Sequence, residues 1–176
     1  MDDFRKYMNT YHYIPDEDWC LIKREFEQVR FRKNEMILEE GAVCRFFYFF
    51  EKGLVRFCCN VDGEDVTKMF CVAPYCFTSK VSFRNQTPAP ESIQALDDCT
   101  LWQITYNQYK KLEQINSWNI FMRKLLNEIQ EFVENRLLES KVFTAEKNYE
   151  NLSCRFNTQN PAETFSFFFG GCPTVA

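Results

Sequence analysis

Residues 46–72, FFYFFEKGLVRFCCNVDGEDVTKMFCV, decide the fold. Phe46–Phe50 is a short aromatic run of strand-favouring residues. Glu51-Lys52-Gly53 turns it into a second strand, Leu54–Cys59. Asp62-Gly63 is a strong hairpin signal, and Val66–Val72 is the arm that follows it. Working outward, Asn34–Leu38 reads as a strand stopped by Glu39-Glu40-Gly41. On the other side a loop runs from Ala73 to Pro90. Ser92–Leu96 and Thr100–Ile104 are two further strands with Asp97-Asp98 between them. Short strands at regular spacing, punctuated by turns, predict a compact antiparallel sandwich or roll.

Helical patterns flank this region. Residues 2–12 read as a short helix. Pro15 is expected at the first position of a second one, followed by Asp16, Glu17 and Asp18, whose charges favour a helix N-terminus. Trp19, Ile22, Phe26 and Val29 recur at helical spacing and are expected on one face of it. After the strands, Thr105 caps a short helix, Tyr106–Gln114. Asn116 or Ser117 then caps a long one from Trp118 to about Phe143, roughly 26 residues and about 39 Å at 1.5 Å per residue. Its apolar stripe includes Met122, Leu125, Leu126, Ile129, Phe132, Val133 and Leu137, while Arg123, Lys124, Glu128, Glu131, Glu134 and Glu139 lie outside it. That length exceeds what one flank of the roll needs, so the stripe is expected to pack on a partner. Thr144 starts another helix.

The chain has 176 residues and a formal net charge of −4, with 45% apolar and 17% aromatic residues. This is ample for a packed core and argues against disorder. A free-standing DNA-binding domain usually shows a basic face, and none is evident. The N-terminus, MDDFRKYMNTYHY, has no apolar signal core, and no apolar run is long enough to span a membrane. The nine cysteines are therefore expected as reduced thiols in a cytoplasmic protein. No C-x-x-C occurs, so buried, inert thiols are a better reading than a metal or cluster site. His12 is the only histidine. That argues against histidine-based catalysis, a His-rich metal centre, or a cupin-type enzyme site. The paired carboxylates Glu39-Glu40 and Asp97-Asp98 are explained by turn chemistry and solvation. No enzyme is expected.

Three stretches carry a family resemblance: FRKNEMILEEGAVCRFFYFFEKGLVRF (31–57), FTSKVSFRNQTPAPESIQALDDCTLWQIT (77–105) and RLLESKVFTAEKNYENL (136–152). Over roughly residues 12–152 the chain resembles the sensor half of Crp/Fnr transcription regulators, in the style of those common in the Bacteroidetes. The resemblance implies an α+β fold. Its body is an antiparallel double-stranded β-helix, the jelly-roll-like β-roll of cyclic nucleotide-binding domains, flanked by N-terminal helices and a long C-terminal dimerisation helix. The division expected is a β-roll with its N-terminal helices over 1–116, the dimerisation helix over 117–143, the start of a hinge or next helix over 144–152, and an irregular tail over 153–176.

In such proteins the loop after the fourth strand binds the cyclic phosphate, usually through Gly-Glu-Leu, a spacer, and Arg-Ser. The resemblance places the ligand-binding positions at Phe77, Thr78, Ser79, Glu91 and Ser92. Ser92 matches the family serine, but Glu91 stands where the phosphate-binding arginine is usual, and Gly-Glu-Leu is absent. A charge pair at about 4 Å and an effective dielectric of about 20 is worth roughly 4 kcal/mol, and the exchange turns that attraction into repulsion. A cyclic nucleotide is therefore not the expected ligand, and no cofactor is.

The resemblance also implies a homodimer through Met122, Leu125, Ile129, Phe132, Val133 and Leu137. A full-length relative would continue into a winged helix-turn-helix. The tail after Leu152 shows no such pattern and carries one basic residue, Arg155. DNA binding is thus expected only of the ancestral full-length form, and truncation or frameshift after Leu152 is the expected cause. Two alternatives stay open: an interaction protein that forms heterodimers with a full-length relative, and an orphan β-roll with no ligand.

Overall fold

The computed structural model describes residues 1–142; the helix start expected at Thr144, the 153–176 tail and the end of the long helix at Phe143 lie outside them. Two four-stranded antiparallel sheets face each other, with strand orders β1-β8-β3-β6 and β2-β7-β4-β5. The strands are β1 (Glu27–Phe31), β2 (Met36–Leu38), β3 (Phe46–Lys52), β4 (Leu54–Val61), β5 (Glu64–Val72), β6 (Tyr75–Phe77), β7 (Ser92–Ala95) and β8 (Cys99–Thr105). Around them lie α1 (Asp2–Tyr11), α2 (Asp16–Glu25), α3 (Lys80–Asn85), α4 (Tyr106–Leu112) and α5 (Asn116–Val142). The result is the expected jelly-roll-like β-roll with N-terminal helices and a long C-terminal helix.

The aromatic run in β3 shows why the roll needs helices on one side. Phe47 through Phe50 are all buried, so both faces of this strand are covered. On one face Phe49 stacks on Phe4 of α1 at 4.3 Å, and Phe47 meets Trp118 of α5 edge-on at 6.1 Å. On the other, Tyr48 stacks on Phe77 at 5.1 Å, and Phe57 from the opposite sheet meets the same ring at 5.9 Å. A strand buried on both faces loses the alternation of a half-exposed one, which is why the run reads as continuous aromatic sequence.

The turns behave as their residues require. Asp62 and Gly63 both have positive φ, 53° and 92°, and join β4 to β5 in the expected hairpin. Gly53, between β3 and β4, has φ +117°, and a Cβ there would lie 2.7 Å from the Cys99 sulfur and 3.0 Å from the Asp98 carbonyl. Gly53→Ala is therefore expected to lower stability by at least about 1 kcal/mol, from backbone strain and the clash together. Urea melts at matched m-value would show it; an unchanged midpoint would mean the turn can relax.

Three sequence expectations are corrected. Phe26 and Val29 do not continue the face of α2. The helix ends at Glu25, Phe26 is extended, and Glu27–Phe31 pairs with β8. Val29 alternates with Phe31 as the partly buried positions of a strand, and the edge of β8 offers five paired positions that a longer helix would leave bare. The Glu25 carbonyl at the helix end accepts a hydrogen bond from Gln108 Nε2 at 2.8 Å, which meets one of the acceptors a helix terminus leaves over. Pro15 stands one position earlier than expected, as the residue preceding the first turn. The segment 73–90 is not all loop: it holds β6 and α3, both too short to show a period.

Thr105 caps α4 as expected, through a reciprocal capping box with Gln108. α5 begins inside the protomer: Trp118, Phe121, Met122 and Leu125 are all buried. Beyond them the helix leaves the core, and Leu126, Val133, Leu137 and Leu138 are exposed at 40–60%. No helix among the described residues is long and apolar enough to cross a membrane.

The seven described cysteines are free thiols, and five of them are buried. Burial holds the Cys71 and Cys76 thiols well above the usual thiol range. A thiol whose folded value is raised keeps its proton while the unfolded chain, titrating near 8.5, loses it. The stabilisation is whole below that value and is lost as pH rises, at about 1.4 kcal/mol per unit for each such thiol. The thermal midpoint is thus expected to fall from about pH 8 upward, and iodoacetamide at pH 8 is expected to label Cys20, which is exposed, well before Cys71 or Cys76. Equal labelling of all three in the folded protein would contradict the buried placement.

Candidate functional site

The two sheets meet at open edges on one side. β6 ends one sheet and β5 ends the other. Between them lies a cavity of about 320 Å³, reached by side chains of β3, β4, β5, β6 and α3 and covered by α5. This is at the small end of the range for ligand pockets.

A bulge shapes the β5 wall. The β4–β5 register steps from Phe57↔Met69 to Cys58↔Thr67, so Lys68 is the extra residue. Bulges re-aim side chains, and here Lys68 and its neighbour Met69 both line the cavity instead of pointing to opposite faces. The apolar wall continues through Phe47, Phe57 and Phe77, and the lid is made of Met122, Leu125, Leu126, Ile129 and Val133.

Few polar groups face this space. Glu91 accepts a hydrogen bond from the Ser79 hydroxyl at 2.8 Å and lies 3.7 Å from the Lys68 ammonium. Lys68 also donates to the Pro90 carbonyl at 3.3 Å. Thr78 donates to the Phe46 carbonyl at 2.9 Å. Ser79 is fully buried, so Glu91 is held against the start of α3 by a fixed donor. Lys80 is the remaining charged residue on the described wall, and it is exposed to solvent. Arg56 is engaged elsewhere, with Gln94, Thr67 and Asp65.

The residues expected at the ligand site are thus only partly brought together. Phe77, Thr78 and Glu91 line the cavity, and Ser79 reaches it through Glu91. Ser92 is turned away to a structural role, since its hydroxyl accepts a hydrogen bond from the Glu40 amide at 2.9 Å and closes the turn before β3. Of the residues expected on the dimer stripe, Met122 and Leu125 are 8% and 1% exposed and pack inside their own protomer. Ile129 packs partly against the core, while Val133 and Leu137 face outward. Nothing is described of the Phe132 side chain. Sequence reasoning missed Lys68, Met69 and Tyr75 on the wall. A bulge leaves no mark in an alternating pattern, and a three-residue strand gives no period.

A second, more open hollow lies among β1, β2 and β3, lined by residues including Arg30, Arg45 and Gln103. No grouping of three His, Cys, Asp or Glu side chains able to hold a metal ion occurs among the described residues.

Comparison with known proteins agrees with this geometry. The sequence profile of the cyclic nucleotide-binding domain matches residues 28–116. Among solved structures, the Thermus thermophilus catabolite activator protein is similar at 18% identity and a TM-score of 0.61, covering 82% of this chain. The chain spans 65% of that protein. A CooA variant from Carboxydothermus hydrogenoformans is similar at 16% identity and a TM-score of 0.57, with 76% of this chain and 85% of that one covered. The sensor domain of the transcriptional regulator DNR from Pseudomonas aeruginosa gives 15% identity and a TM-score of 0.57, with 75% and 86% covered. At these identities the likeness is one of fold. Among curated proteins there is no significant match.

Proposed function

The chain belongs to the cyclic nucleotide-binding domain family, and from that premise we propose that it is a Crp/Fnr-type sensor module that pairs with a second copy along α5. Its function is regulatory binding and not catalysis. The observation that carries this reading is the division of labour along α5. Met122 to Val133 close the cavity, Leu126 and Val133 among them are also 40% and 45% exposed, and the apolar stripe they begin runs on past the cavity through Leu137 and Leu138. One element thus touches both a ligand space and a surface suited to a twin. A ligand that favours one position of α5 would shift the population of paired states. Sedimentation equilibrium of the full chain tests this: a dimer is expected at micromolar concentration, and a monomer throughout would contradict it.

The ligand of this module is not a cyclic nucleotide. The family's phosphate-binding position carries Glu91, and the protein supplies a carboxylate there, fixed by Ser79 and near Lys68. No arginine is among the described wall residues. A ribose and a purine would also lose water to an apolar wall, at about 1–3 kcal/mol for each polar group left without a partner. Free thiols at the described cysteines suit a reducing compartment, the cytoplasm. The expectation about DNA recognition concerns residues outside the described part. Pairing with a full-length relative through the same stripe is the second reading, favoured by the same exposed leucines and distinguished by co-purification of a longer chain.

A further inference from the structure

We propose that the cavity between β5 and β6 takes a small, uncharged, apolar molecule, and that it recognises this ligand by shape and burial with no charged headgroup contact. The inference rests on the sensor reading above and names the class of ligand for that same site.

Three observations support it. First, three of the polar groups that face the space are already engaged within the protein: Glu91 has Ser79 and Lys68, Lys68 also has the Pro90 carbonyl, and Thr78 has the Phe46 carbonyl, while Lys80, the other charged wall residue, is exposed to solvent. A charged group buried beside Glu91 would have to break the Lys68–Glu91 pair or lie beside a like charge, and one held at Lys80 would stay in water, where a charge pair is worth little. Second, most of the remaining surface is carbon: phenylalanine rings on the sheet side, and Met122, Leu125 and Ile129 on the lid. Third, the space is about 320 Å³, enough for a chain of roughly eight to ten carbons and small for the pockets that hold drug-sized ligands. Binding would then be driven by removal of apolar surface from water, with a negative heat-capacity change as its mark.

The test is calorimetry on the full chain with hexan-1-ol, octan-1-ol and decan-1-ol, and with octanoate as the charged counterpart. Affinity is expected to rise about fourfold per added methylene until the cavity is full. Octanoate is expected to bind at least tenfold more weakly than octan-1-ol. Met69→Trp, which fills the space from the β5 wall, is expected to abolish alkanol binding while a thermal melt shows the fold retained. Glu91→Gln is expected to change alkanol affinity by less than threefold. Octanoate binding as tightly as octan-1-ol would overturn the proposal, as would alkanol binding unaffected by Met69→Trp. Alkanol binding that disappears as the chain dimerises would show that a second copy fills the space, and would overturn it too. Failure here with a dimer still present leaves the sensor reading intact, since the dimer is measured separately.

Discussion

Trp118→Ala is expected to destabilise the domain by about 3–5 kcal/mol, the usual range for removing a large aromatic from a core. Trp118 is fully buried at the start of α5. Its ring meets Phe47 of the sheet at 6.1 Å, Tyr109 of α4 at 5.8 Å, Phe26 at 6.2 Å and Phe121 of its own helix at 5.7 Å. It therefore ties the long helix to the roll and to the segment after α2. Domains of this size have a total stability of about 5–15 kcal/mol, so the loss is a large share of it. The thermal midpoint is expected to fall by about 10 °C or more. The indole N–H has no hydrogen-bond partner among the described residues. Trp118→Phe, which keeps a ring and removes that donor, should therefore cost clearly less than Trp118→Ala. Equal losses for the two would mean that the ring contacts are not what anchors the helix.

The double substitution Leu126→Glu with Val133→Glu is expected to convert the proposed dimer to a monomer. The two residues are seven apart on α5 and share a face, at 40% and 45% exposure. In a symmetric pair each substitution appears twice, so four carboxylates would enter one seam. At about 1–3 kcal/mol for each buried polar group without a partner, the sum is at least about 4 kcal/mol, or a thousandfold in the dissociation constant. Sedimentation should show the change, with circular dichroism unchanged because the buried part of α5, from Trp118 to Leu125, is untouched. A variant that remains dimeric would place the seam elsewhere.

Much of the architecture can be read in the residues. The turns at Gly53 and Asp62-Gly63, the cap at Thr105 and the long amphipathic helix all carry strong local signals, and each lies where those signals put it. What is not legible depends on tertiary pairing. Glu27–Phe31 becomes a strand because β8 offers an edge, although Phe26 and Val29 also fit a helical period. β6 is three residues long and exists through its register with β3. The site shows the same limit. The order of residues puts forward Glu91 as a site residue, but its hold on Ser79 and its nearness to Lys68 depend on a bulge in β5 and on a short helix that no periodicity announces. Ser92 matches the family serine by order in the chain, yet its hydroxyl serves the turn at Glu40.

On this account the β-roll keeps the family's pocket and has replaced its phosphate-binding charge. Calorimetric titration of the full chain with cyclic AMP tests this most directly. No saturable heat is expected up to about 1 mM nucleotide, whereas a dissociation constant below about 10 µM would contradict it.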